Sequence, residues 1–89
     1  MKLYKKGAKF EYKVREIYRK LGYEVIRSAG SRGPFDLIAI NPETKQIRLI
    51  QCKAGYLSKN QKQAILEPLL AFEGQYSVDI SLATPQTPS

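Results

Sequence analysis

The segment Phe35-Asp36-Leu37-Ile38-Ala39-Ile40 constrains this chain more than any other. Apart from one carboxylate at its start, it is apolar at odd and even positions alike. That pattern predicts a strand buried on both faces. Such a strand must lie inside a covered sheet, and 89 residues leave room for one small layered domain around it.

The rest of the chain supplies the layers. Phe10, Val14, Ile17, Tyr18 and Leu21 recur at helical spacing within an arc of about 100°, predicting a helix over Ala8 to Leu21 with Gly22 as its cap. Glu11 falls beside Tyr18 at the border of that stripe. Lys9, Lys13, Arg19 and Lys20 lie off it. Tyr23 to Arg27 reads as a strand, Ser28 to Pro34 as a loop, and Asn41-Pro42-Glu43-Thr44 as a turn. Gln46 to Lys53 then forms a hairpin with the apolar strand. Ser58 and Gln61 have the spacing of a capping box, so a helix should follow to about Phe72, interrupted at Pro68 and ended by Gly74. Tyr76 to Leu82 alternates strictly and predicts a fourth strand with one wet face. The expected fold is an α/β sandwich of order α-β-β-β-α-β around a mixed sheet. Residues 1–83 form one domain in this reading, and 84–89 form a tail.

Composition narrows the function classes. No histidine is present and there is one cysteine, Cys52, which excludes histidine-dependent triads, histidine-ligated zinc and an internal disulfide framework. Neither a signal peptide nor a membrane span is legible, so the chain is expected in the reducing cell interior, the cytoplasm. The net charge of +7 is concentrated at the start: nine basic against three acidic residues in 1–27, and two against three in 54–89. A basic half on a small domain suggests a polyanionic partner, branched or duplex DNA in this reading. The first helix and the loop from Arg27 to Arg32 are where phosphates would be held, by Lys5, Lys6, Lys9, Lys13, Arg27 and Arg32.

Asp36 and the triplet Gln51-Cys52-Lys53 carry the chemistry. A hairpin turned at Asn41 to Lys45 brings the start of one strand to the end of the next, so Asp36 should lie close to Gln51 and Lys53. A carboxylate, an amide oxygen and a backbone carbonyl on one sheet edge suit a hard divalent cation such as Mg²⁺. A nearby lysine can orient or deprotonate a water, or neutralise charge on a phosphate. The same residues also suit a structural arrangement, with Asp36 paired to Lys53 or Arg27 and Gln51 an ordinary exposed strand residue. Glu11 has a comparable alternative as a surface partner of Arg15.

Four stretches taken together resemble a known family: Lys6-Gly7-Ala8-Lys9-Phe10-Glu11, Leu21 to Ser31, Asp36-Leu37-Ile38-Ala39, and Ile50-Gln51-Cys52-Lys53. Their order and spacing are similar to those of the archaeal Holliday junction resolvases, of the PD-(D/E)xK, restriction-endonuclease-like superfamily. The resemblance implies a restriction-endonuclease-like sandwich and a metal-dependent endodeoxyribonuclease that cuts four-way junctions. It implies metal binding by Asp36 and by Glu11, directly or through water, with Lys53 as the catalytic lysine. Arg27 would contact the scissile region and Ser31 would sit near the site. Two positions depart from the family pattern: Tyr12 replaces an arginine, and Gln51 replaces a glutamate.

The expected site is therefore Glu11, Asp36, Gln51 and Lys53, with Mg²⁺ on Asp36, Gln51, the Cys52 carbonyl and Glu11, and with Mn²⁺ able to substitute. The alternatives are a nuclease for another DNA structure and a DNA-binding module of the same fold with little chemistry. Two cuts on opposing strands call for a symmetric homodimer. Leu66 and Leu70, left over from the apolar arc of the second helix, are the residues expected to meet a partner copy.

Overall fold

A computed structural model describes residues 2–28 and 33–85, with side chains from residue 7 onward. The elements are α1 (Lys2–Lys20), β1 (Glu24–Arg27), β2 (Leu37–Asn41), β3 (Gln46–Ile50), α2 (Lys59–Leu66) and a 3₁₀ helix (Glu67–Phe72). The helix α1 ends in a Schellman motif: Gly22, at φ 97°, donates its N–H to the Arg19 carbonyl, and the Tyr23 N–H reaches the Tyr18 carbonyl. The Tyr18 and Tyr23 rings meet edge to face at 5.3 Å, supplying the apolar contact that accompanies this cap. The chain thereby turns straight from α1 into β1.

The three strands form one antiparallel sheet in the order β1-β2-β3, with Arg27 opposite Leu37 and Leu37 opposite Ile50. Asn41 builds the hairpin turn, its Oδ1 accepting the N–H groups of Glu43 and Thr44 while its carbonyl accepts that of Lys45. Leu37, Ala39 and Asn41 are buried, and this is the face that α1 covers: Tyr23 donates to Gln46, opposite Asn41, and Arg27 reaches back to α1. The other face is only partly closed. Ile38, Ile40 and Leu49 are half-buried there, while Ile26 and Ile47 are exposed. Burial of β2 on both faces is thus corrected to one closed face.

Ser58 caps α2 with the expected capping box: its Oγ accepts the Gln61 N–H, and the Gln61 side chain accepts the Ser58 N–H. Pro68, in the first turn of the 3₁₀ helix, ends the α-helical hydrogen bonding, and Phe72 docks on Phe35 with ring centroids 5.1 Å apart.

Three expectations need correction. α1 starts at Lys2, not Ala8, and it is rotated so that Glu11, Val14 and Tyr18 are half-buried while Phe10, Ile17 and Leu21 remain exposed. The β3 strand stops at Ile50, because the Cys52 N–H turns to a side chain instead of continuing the ladder. The fourth strand does not form and the sheet is antiparallel, not mixed, among the described residues. Tyr76, Val78, Ile80 and Leu82 are all exposed, Ile80 at 93%. Alternation marks a strand only where a neighbouring edge and a covering layer receive it.

Candidate active site

Asp36 sits one residue before β2, where the ladder runs on in both directions. Its N–H donates to the Ile50 carbonyl and its carbonyl accepts the Ser28 N–H, each at 2.9 Å. The backbone of Asp36 is therefore fixed between the ends of β1 and β3. The side chain is fixed too: Oδ2 accepts the Cys52 N–H at 2.8 Å. This leaves Oδ1 without a hydrogen bond among the described residues, open to a further partner.

Gln51 lies directly beyond the Leu37–Ile50 pair, across from Asp36. Its Oε1 is buried and accepts no hydrogen bond among the described residues. A buried acceptor without a donor costs about 1–3 kcal/mol, so such an atom calls for an electropositive partner. The exposed strand residue of the structural alternative is thus not what the fold contains. Nor is Asp36 in an ion pair with Lys53 or Arg27 among the described residues.

Glu11 is brought in from α1. Its carboxylate accepts a hydrogen bond from Arg27 Nε at 2.5 Å. Arg15, its i+4 neighbour, instead stacks over the Tyr12 ring at 5.2 Å. The Cys52 thiol is pushed up to about 11 by burial first, then by the charge of Asp36 and then by that of Glu11. Asp36 is thus tied to the end of β3 through the Cys52 N–H, and Glu11 on α1 is tied to the end of β1 through Arg27. Lys53 is exposed.

The donor set fits a hard divalent cation. The oxygens on offer are the Asp36 carboxylate, anchored on the Cys52 N–H, and the orphaned buried Gln51 Oε1 across from it, while burial holds the thiol protonated. No group of three or more His, Cys, Asp or Glu side chains forms among the described residues.

The pKa of Cys52 makes one prediction. In metal-free protein its thiolate population below pH 9 is about a hundredfold smaller than that of an unperturbed thiol. Iodoacetamide should accordingly modify native protein in EDTA at pH 8 about a hundredfold more slowly than guanidinium-unfolded protein. The native rate should keep rising towards pH 11, where the unfolded rate has levelled off. Equal rates by mass spectrometry would show that Cys52 is not in this environment.

The basic residues divide between two places. Arg27 is at the end of β1, bonded to Glu11. Lys9, Lys13 and Lys20 are exposed and fall within about 40° of one another on α1, about 160–200° around the helix from Glu11. They form a lysine ridge on the side turned away from the sheet. Ser31 and Arg32 lie outside the described residues, as do the side chains of Lys5 and Lys6. Two features were not legible in advance: the Cys52 N–H as the anchor of Asp36, and Arg27 as the partner of Glu11. The first follows from the hairpin register, which puts residue 52 just past the Asp36–Gln51 pair. The second needs the tertiary placement of α1.

A glutamate on the first helix, an aspartate just before the middle strand and Gln51-x-Lys53 just after the next are in the order expected of the restriction-endonuclease-like nucleases, with an amide in place of the second carboxylate. Within that superfamily the chain belongs to the archaeal Holliday junction resolvase family, whose family model matches residues 2–83. The crossover junction endodeoxyribonuclease Hjc of Methanocaldococcus jannaschii is 35% identical over 74 residues, which is 78% of this chain and 50% of that relative. The chain thus spans about half the length of the curated relative it matches. No solved structure is a significant match.

Proposed function

We propose that this chain is a metal-dependent endodeoxyribonuclease that cuts four-way DNA junctions. The observation that carries the reading is the buried, unpartnered Gln51 Oε1 beside an Asp36 carboxylate held by the Cys52 N–H. The M. jannaschii relative is named for junction cleavage. Asp36, Gln51, the Cys52 carbonyl and Glu11 would hold Mg²⁺, with Mn²⁺ as a substitute. A divalent ion there supplies charge stabilisation for a phosphoryl group under attack. Lys53 orients the attacking water, and Arg27 and the lysine ridge hold phosphates, which position DNA without reading bases. No helix among the described residues is long and apolar enough to cross a membrane. A synthetic four-way junction incubated with Mg²⁺ or Mn²⁺ tests the reading. Metal-dependent cuts near the branch point are expected, and binding without cutting at any metal concentration would overturn it in favour of a DNA-binding module. That second reading draws on one observation, the neutral amide at position 51.

Gln51→Glu separates the two further. The added carboxylate should tighten Mn²⁺ binding on the order of tenfold and leave or raise activity, since ligand charge sets affinity for hard cations. Without metal the same change buries a charge, so thermal stability in EDTA should fall. Weaker metal binding would remove Gln51 from the ligand set, and cutting by the mutant alone would favour the binding module.

The reading includes a homodimer. Leu66 and Leu70, on either side of Pro68, are 55% and 57% exposed, so the interruption at Pro68 does not turn all the apolar residues of this region inward. Sedimentation equilibrium at micromolar concentration should show a dimer. A strict monomer, free and on junction DNA, would leave a nicking enzyme.

A further inference from the structure

Glu11 and Arg27 have separate duties in the proposed function, one toward the metal and one toward phosphate, yet they are bonded to each other at 2.5 Å. A carboxylate engaged by a guanidinium is a poorer ligand for a second cation, and the guanidinium is less available to an anion. Exposure gives the pair a direction. The Arg27 side chain is 55% exposed and that of Glu11 20%, so an arriving phosphate meets the arginine first, whereas a metal ion reaches Glu11 only by competing with it. The amide at position 51 raises the stakes. With a neutral oxygen there, Asp36 gives the proposed ligand set one negative charge, and Glu11 is the second that a divalent ion calls for.

We propose that the Glu11–Arg27 ion pair is a latch that makes metal loading depend on DNA. A phosphate presents the same forked acceptor geometry to a guanidinium as a carboxylate does, so Arg27 can exchange one for the other. The exchange frees Glu11 to turn its charge to the metal. By linkage, DNA tightens metal binding by the factor that metal tightens DNA binding. Free protein then holds metal weakly and is armed on its substrate. This inference rests on the metal site proposed above.

The test is a double-mutant cycle read by Mn²⁺ binding, followed through loss of the free-ion EPR signal, with folding checked by circular dichroism. Without DNA, Arg27→Gln should bind Mn²⁺ about three- to fivefold more tightly than the parent, the size expected when an ion pair of this exposure no longer competes. Arg27→Lys, which keeps the charge, should return affinity towards the parent value. In a Glu11→Gln background the gain from Arg27→Gln should vanish. In a Lys53→Ala background, which avoids cutting, junction DNA should tighten Mn²⁺ binding, and by less when Arg27→Gln is added. Weaker Mn²⁺ binding by Arg27→Gln would overturn the latch, because Arg27 would then be orienting Glu11 for the metal. A gain that survives Glu11→Gln would also overturn it, as a simple field effect. Failure of the parent to bind Mn²⁺ with or without DNA would remove the metal site and the latch together, whereas normal parental binding with a failed cycle removes the latch alone.

Discussion

Asp36→Asn is expected to reduce junction cleavage about a thousandfold while junction binding in EDTA stays within a few-fold of the parent. The substitution keeps the shape of the side chain and an oxygen for the Cys52 N–H, so the hydrogen bond that locks residue 36 between β1 and β3 survives. What is lost is the negative charge, and the removal of one group that stabilises developing charge costs about 10²–10³ in rate at other enzyme sites. Here the loss is expected at the upper end, because the neutral Gln51 cannot compensate. Lys53→Ala should lose activity comparably for a different reason. Lys53 is exposed, so its removal leaves the core untouched and any loss belongs to the chemistry. DNA affinity should fall by no more than one phosphate contact. Parallel cleavage gels and mobility shifts on one junction decide the matter, and wild-type cutting by either variant would remove the active-site assignment.

The elements that were legible in the sequence are those specified locally. Ser58 and Gln61 cap α2 through bonds that span three residues, Gly22 turns α1 into β1, and Asn41 closes a hairpin through its own neighbours. The juxtaposition of Asp36 and Gln51 followed from the same logic, because a hairpin's register fixes which residues face each other, and these two come together at its open end. Features that depend on packing at a distance were not legible. The apolar stripe of α1 predicts burial of Phe10 and Ile17, but the bond from Arg27 to Glu11 and the contacts at Tyr18 and Gly22 hold the helix so that Glu11 meets the end of β1. Tyr76 to Leu82 has the alternation of a strand without the partner that would make it one. Gln51 reads as a defect in the family pattern, yet in the fold its Oε1 is a buried acceptor without a donor among the described residues.

The largest effect outside the chemistry should be the response of DNA binding to salt. Nine of the fifteen basic residues lie in the first 27, and the three lysines of the outer ridge, Lys9, Lys13 and Lys20, make no ion pair among the described residues. Arg19, by contrast, is bonded to Glu16 and has less to offer. Neutralising about five phosphates gives a log–log slope of about −4 to −5, so affinity for duplex arms should fall about 500-fold between 50 and 200 mM salt. If the ridge supplies three of those contacts, the triple change Lys9→Gln, Lys13→Gln and Lys20→Gln should make the slope shallower by about 2 to 3, equally on unrelated sequences. Lys59→Gln with Lys62→Gln removes two charges from α2, in the part of the chain with no basic excess, and should leave the slope where it was. The comparison matters because the ridge points away from Glu11. A slope carried by the ridge requires DNA to run from the site around α1, which a branched substrate can do with a second arm. A slope unmoved by the triple change, or a parental slope near −1, would place the phosphates elsewhere and leave the ridge as a solvated face.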